Sequence, residues 1–355
     1  MRKPHSHLSP RRSSGFTLIE LMVALLLGLL VLAAALGLFL TNQRTYRATE
    51  NLSRVQENAR AAFELLAADI RAAGGNPCGR QQTVAGGNTV GMSVFNVLNN
   101  PTANWWSNWG VGADAIIGFG GTAPFADAAF GTGAAQRVSG TDALQLMAAG
   151  NRQAVVVSHD EGEAKFVMRN GQHGFQPGQI LMVCGPGAMA EQVLSRAVIF
   201  QMTGTTGQLS VGHGEGGGSP GNVTDELGGY LVDGAVVDPA SYKFGGNSII
   251  TDFHSARWFI GNNGRGGRSL YQSLLGGGAA VQTQEIAEGV ENMSLTYLVP
   301  SASAYLDAAS VGARWQEVTA VRISLQFSSP HQVGTDGANL LRTMTSVVSI
   351  RNRIP

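Results

Sequence analysis

An α+β architecture is predicted for this 355-residue chain. One long N-terminal helix, transmembrane in its first half and amphipathic in its second, packs on a C-terminal, antiparallel, β-rich globular domain with long Gly-rich loops. Three observations predict it. Residues 16–40 are apolar apart from Glu20, and from 41 to 73 apolar positions recur at spacings of three and four. Beyond Pro77 come short β-branched runs separated by Gly, Asn, Asp and Pro. With 48 glycines and 14% charged residues, the body reads as loop-rich and β-rich, not as a helical bundle.

The apolar run sets the compartment. As a helix, residues 16–40 span roughly 37 Å, enough to cross a ~30 Å hydrocarbon core with some tilt. Arg2, Lys3, Arg11 and Arg12 precede it without an acid, which keeps the N-terminus cytoplasmic and places the rest of the chain outside. Arg44, Arg47 and Arg54 follow it, diluted by Glu50 and Glu57. A secretory signal cleaved near Ala33-Ala34-Ala35 and a plain uncleaved anchor are both consistent with the run. Neither explains Glu20, since a carboxylate in hydrocarbon costs several kcal/mol unless it finds a partner. Cleavage after Gly15 supplies that partner. It frees the α-amine of Phe16, a cation able to pair with Glu20 of a neighbouring subunit in a helical bundle.

The string Gly15-Phe16-Thr17-Leu18-Ile19-Glu20 resembles the type III signal of type IV pilins and type II secretion pseudopilins. The resemblance implies a prepilin peptidase that cuts after Gly15 and methylates Phe16. It also implies the pilin fold, in which half of one long helix lies in the inner membrane and half against a globular domain. The expected organisation is a leader over 1–15, a transmembrane half over 16–40, an amphipathic periplasmic half over 41–74 and a β-rich globular domain over 75–355. The fifteen-residue leader is longer than the shortest in the family.

After Leu40 the apolar stripe runs through Leu52, Val55, Ala59, Phe63, Leu66 and Ile70, with charges between. Glu50–Arg54 and Arg60–Glu64 are supporting i,i+4 pairs. Gly74-Gly75 and Pro77 stop the helix near residue 73, after roughly 85 Å. Strands are expected over 89–98, 141–148, 154–158, 179–184, 192–201, 208–211, 255–260, 290–299, 317–328 and 339–351. The stretches 99–137 and 212–229 read as long surface loops. Cys78 and Cys184 form no CxxC. They are buried thiols in a cytosolic chain and a single long-range disulfide in an oxidising periplasm, and the anchor favours the second.

Several further strings resemble the PilW family of minor pilins. They are Ala68-Asp69-Ile70-Arg71 with Ala73-Gly74 and Cys78, Thr141-Asp142-Ala143-Leu144, the runs 289–297 and 318–323, and 343–353 ending in Arg351-Asn352-Arg353. That resemblance implies a structural role at or near the tip of a type IV pilus, in priming fibre assembly. The partners it implies are the major pilin, other minor pilins and a tip adhesin. The type II secretion pseudopilin J, of the same architecture, is the alternative.

Enzymatic and other binding readings are weaker. Removing the four leader cations leaves 20 basic against 24 acidic residues, and there is no basic, aromatic-rich patch for nucleic acid. Gly217, Ser219 and Gly221 fit G-x-S-x-G, but the glycine run and Pro220 forbid the helix that motif needs. Gly212, Gly214 and Gly217 fit G-x-G-x-x-G without a following helix N-terminus. His213 with Glu215, and His159 with Asp160 and Glu161, lack a third ligand at matching spacing, so solvated loop charges are expected and no metal or cofactor. Trp105, Trp106 and Trp109 are either core under a loop or an exposed partner patch. A membrane-tethered hydrolase and a secreted binding protein are the remaining rivals.

Overall fold

The structure is a computed structural model. It describes residues 15, 17–79, 81–83, 89–91, 93–110, 114–189, 192–204, 209–228, 230–232, 235–237, 242–332 and 339–353. The expected leader lies outside these residues apart from Gly15, and so does Phe16. Helix α1 runs Leu18–Ala72 without interruption. Gly74, at φ +70°, ends it in the left-handed conformation that glycine adopts without strain. From Leu18 to Arg47 the helix is exposed on every side, a projection of ~45 Å at 1.5 Å per residue.

The buried face begins at Asn51 and continues through Val55, Ala59, Ala62, Leu66 and Ile70. The expected stripe is therefore rotated. Leu52 and Phe63 are only partly buried, whereas Ala62 and Ala67 are covered. Alanines let the helix lie close to the sheet, and the larger side chains flank the line of contact.

Eighteen strands follow among the described residues. The first six are β1 (Gln81–Thr83), β2 (Thr89–Gly91), β3 (Ser93–Asn96), β4 (Ile116–Phe119), β5 (Ala143–Asp160) and β6 (Lys165–Met168). Next come β7 (Ile180–Met189), β8 (Gln192–Gln201), β9 (Ser210–Gly212), β10 (Tyr230–Val232), β11 (Ala235–Val237) and β12 (Lys243–Phe244). The last are β13 (Ile249–Asn262), β14 (Arg268–Leu275), β15 (Val281–Glu288), β16 (Val290–Leu298), β17 (Ala320–Gln332) and β18 (Asn339–Ser349). A large sheet runs β3-β8-β7-β13-β5-β6-β9, with β4 on β5, β12 on β7, β14 on β13 and β15 on β14. A second sheet has the order β16-β17-β18. Gly289, at φ +75°, passes the chain from β15 in one sheet to β16 in the other.

Alternation along β5 and β13 divides the interior. Leu144, Leu146, Ala256, Trp258 and Ile260 face α1, in a core completed by Met293, Leu295, Ile323 and Leu325 of the second sheet. Ala143 and Phe259 point the other way, towards Phe125 and Tyr271. A third cluster of Phe166, Phe200, Phe244 and their neighbours lies at the far end of the large sheet.

Four expectations need correction. The sheet is not wholly antiparallel, because β3 pairs parallel with β8. The segments 141–148 and 154–158 form one strand, β5. Strands β1, β6, β10, β11, β12, β14 and β15 were not expected. Finally, 99–137 is not loop throughout: among its described residues it contains β4, and Trp106, Trp109 and Phe125 are buried against the face of the large sheet opposite the helix. Arg137 and Arg257 hold this segment down. Arg137 donates to the carbonyls of Ala123 (2.7 Å), Gly120 (3.0 Å) and Thr141 (2.7 Å), with its guanidinium 4.7 Å from the Phe125 ring. Arg257 pairs with Asp127 at 2.7 Å and lies against Trp105 and Phe125 at 4.4 and 4.0 Å. Stacked, hydrogen-bonded guanidinium groups are the form in which buried cations stabilise a packed segment.

Gly118 in β4 lies close against Tyr297 of β16 and Trp315. A Cβ there would lie 2.1 Å from Tyr297 Oη and 2.7 Å from the Trp315 ring. Gly118→Ala is expected to destabilise the full chain by about 1–3 kcal/mol through overpacking, read as a lower unfolding midpoint in urea.

Candidate functional site: the helix and its anchorage

At its N-terminus α1 is capped by Thr17, whose hydroxyl accepts the Glu20 N–H at 3.2 Å and lies 3.5 Å from the Glu20 carboxylate. Thr17 and Glu20 thus occupy the N-cap and N3 positions, the spacing of a capping box, and the acid sits favourably at the positive end of the helix. Gly15 lies just ahead of the cap. Around Glu20 the surface is apolar and open: Leu18 and Ile19 are each 75% exposed. Among the described residues α1 is the one helix long and apolar enough to cross a membrane. Farther along, Thr41, Thr45 and Thr49 form a ladder, each hydroxyl bonded to the carbonyl four residues back at 2.9–3.0 Å.

The other end of the helix is fastened by Asp69. Its carboxylate accepts from Trp258 Nε1 (2.8 Å), Gln272 Nε2 (2.8 Å) and His254 Nε2 (3.1 Å). Three donors from β13 and β14 therefore converge on one acid of α1. Burial alone would lower the pKa of His254, but the hydrogen bond and charge of Asp69, with Asp252, leave it raised. Asp69 stood in the sequence as part of a family-like string. The signal for its role was an acid interrupting the apolar stripe between Leu66 and Ile70.

Just past the helix Cys78 is joined to Cys184 of β7, 106 residues away. Closing so long a loop lowers the entropy of the unfolded chain by an equivalent of about 4–5 kcal/mol in the chain-entropy view. The C-terminal Arg351-Asn352-Arg353 meets the same corner. Arg353 donates to the carbonyls of Trp315 and Val318, and a Cβ at Gly75 would strike Asn352 Nδ2 at 2.6 Å. Burial brings Arg353 down to about 10. Burial also lifts the nearby Asp114 carboxyl to about 6, against the opposing pull of the Arg353 charge.

The remaining candidates resolve into interior structure. Trp106 and Trp109 are buried and Trp105 is partly so. Ser255 Oγ donates to Trp106 O (2.7 Å), Gln145 Nε2 to Trp105 O (3.1 Å), and Asn96 Nδ2 to Trp109 O (3.0 Å). The tryptophans are therefore core. Gly217, Ser219 and Gly221 lie in irregular backbone with no helix following among the described residues, so the hydroxyl is not set on an elbow. Gly212, Gly214 and Gly217 end β9 and enter the same irregular run.

His159 and His213 are not solvated loop residues. Both are buried, and their Nε2 atoms face each other at 2.8 Å among Phe166, Phe200 and Phe244. Phe244 N–H donates to His159 Nδ1 at 3.2 Å, so His159 carries its proton on Nε2 and donates it to His213 Nε2. Only a neutral pair can make this bond, and burial lowers His159 to about 4 and His213 to about 3.

Two family models match the chain. Residues 257–352 match type IV pilus-assembly protein W, PilW, and residues 10–36 match the prokaryotic N-terminal methylation motif. The chain is thus PilW-like over its C-terminal part and carries a methylation-type N-terminus. The PilW match begins within β13 and ends at Asn352. It covers β14 to β18, which with β5 and β13 pack against the buried face of α1, and the C-terminal corner. No curated protein and no solved structure matches the chain.

Two outcomes follow from this geometry. Asp69→Ala strands three donors and is expected to cost about 2–4 kcal/mol, measured by denaturant unfolding of the full chain. For the histidine pair the folded pKa values lie below the unfolded value near 6.5. The stability the pair contributes is complete above about pH 6.5 and is lost as pH falls towards 4. His254, raised instead, contributes in the opposite sense, so the pair is isolated by difference. Unfolding midpoints between pH 7 and 4 should fall less steeply in His159→Phe/His213→Phe than in the parent chain.

Proposed function

We propose that this PilW-like chain is a minor pilin of the type IV pilus, built into the tip or priming complex from which the fibre grows. The observation that carries the reading is the pairing of a methylation-type N-terminus with ~45 Å of helix that its own globular domain leaves bare. A helix apolar on all sides stabilises nothing in water and must be covered by lipid or by other helices. Before assembly the chain is a single-pass inner-membrane protein with a cytoplasmic N-terminus. After assembly the same surface packs against the helices of other minor pilins and of the major pilin.

In this reading 1–15 is removed by prepilin peptidase, 16–40 is the membrane half and 41–74 the periplasmic half of the helix, and 75–355 forms the pilin head. Phe16, methylated after cleavage at Gly15, supplies a cation, and Glu20 of a neighbouring subunit supplies the anion that sets register. An unpaired carboxylate at this depth costs more than a paired one, so correct alignment is also the low-energy alignment. The match to a pilus-assembly protein supports the pilus over type II secretion. PilW is a structural family, and the chain's role here is structural, with a large tip adhesin as a further partner.

The capping-box spacing makes the test discriminating, because glutamine fills the N3 position as well as glutamate does. Intact mass of the parent chain should correspond to a start at methylated Phe16. Glu20→Ala and Glu20→Gln should both be processed normally, yet both should be recovered in sheared fibres at least about tenfold less than the parent, a loss of ~1.4 kcal/mol or more. Full assembly with Glu20→Gln would reduce Glu20 to a helix cap. A mature chain that retains its leader, or that has lost the whole apolar run, would overturn the reading.

A further inference from the structure

Strand β18 is the outer strand of the second sheet, and among the described residues it pairs only with β17. An open edge presents a row of backbone N–H and C=O groups that templates another strand. Native proteins blunt such edges with charge, proline, bulges or a covering segment. The other outer strands nearby are blunted. Asp142 covers β16: its N–H donates to Met293 O at 2.9 Å and its carboxylate accepts the Leu295 N–H at 2.8 Å. β15 carries Glu285 and Glu288, both bonded to Arg265.

β18 carries little of this, with one charge and a register shift confined to its first residues. Asn339–Ser349 has no proline, no glycine and one charged residue, Arg342. From Leu341 to Ser349 it pairs with β17 without a register shift. Its outward-facing side chains include Leu341 and Val347, 54% and 52% exposed, with exposed threonines between them. At ~3.4 Å per residue this edge is about 37 Å long.

The geometry points to β18 as a strand-addition site that takes an extended segment of a different polypeptide. The chemistry of the edge describes that segment. Backbone groups in a row are satisfied together only by another extended backbone. Leu341 and Val347 favour β-branched or apolar residues opposite them. Arg342 favours an acid, and β18 itself contains none, so a second copy of this strand would leave the cation without a counter-charge. The inference needs a neighbouring protein but does not rest on the pilus reading.

Amide hydrogen exchange on the full chain tests it, comparing native membranes or fibres with dilute protein in detergent. In detergent, the alternate amides Leu341, Thr343, Thr345, Val347 and Ser349, which point away from β17, should exchange as an open edge. In the native setting they should slow by about tenfold or more. The exposed-site variant Leu341→Lys/Val347→Lys should abolish that slowing with an unchanged melting temperature. Thr343→Lys serves as a second, milder block should the double variant fold poorly. Equal exchange in the two settings overturns the inference, and so does slowing that survives the lysines. Slowing in detergent that rises with protein concentration also overturns it, because the occupant is then a second copy. A mature chain found in fibres without slowing sinks this inference alone. Slowing in a chain that keeps its leader sinks the pilus reading alone.

Discussion

The convergence of three donors on Asp69 decides how this molecule is put together. A helix of 55 residues with a bare first half has only its last turns with which to grip a domain. Apolar contact through Val55, Ala59, Leu66 and Ile70 supplies the driving force but is tolerant of rotation and sliding. Directed bonds from Trp258, Gln272 and His254 remove that tolerance. With the helix fixed in rotation, the direction in which Glu20 points, tens of ångströms away, is fixed relative to the head.

Around that anchorage the chain builds two layers on one sheet. The helix and the β16-β17-β18 sheet take one face, and the segment from 99 to 137 takes the other. What holds each layer differs. The helix side is hydrocarbon against hydrocarbon with one buried acid. The far side is loop, poor in regular backbone pairing, and two arginines with their aromatic rings and carbonyls substitute for a second helix. The family match stops short of this far side, beginning at Arg257.

The helix was legible because its signals are local and long: an apolar run, a 3.6-residue stripe and a glycine stop. Its exact face was not, since Ala62 and Ala67 carry little hydrophobic weight although they make the closest contacts. The strands β5, β13, β16, β17 and β18 showed β-branched alternation. β14 did not, because Ser269 through Ser273 are buried on both faces, and β15 did not because it is a polar edge. The histidine pair joins residues 54 apart and Arg257 meets Asp127 across 130. No spacing rule reaches that far. The three tryptophans read as core or partner patch are core, and Asn96, Gln145 and Ser255 take up their backbone carbonyls.

The bridge from Cys78 to Cys184 also has a mechanical meaning. A pull along α1 leaves the helix at Ala72 and reaches, a few residues later, a covalent link into β7, which lies between β8 and β13 in the large sheet. Tension carried by that link, which spans a sequence separation of 106, bypasses the chain between, including the layer held by arginines, and enters the head as shear across hydrogen-bonded strands. The layer held by arginines is left out of that covalent load path.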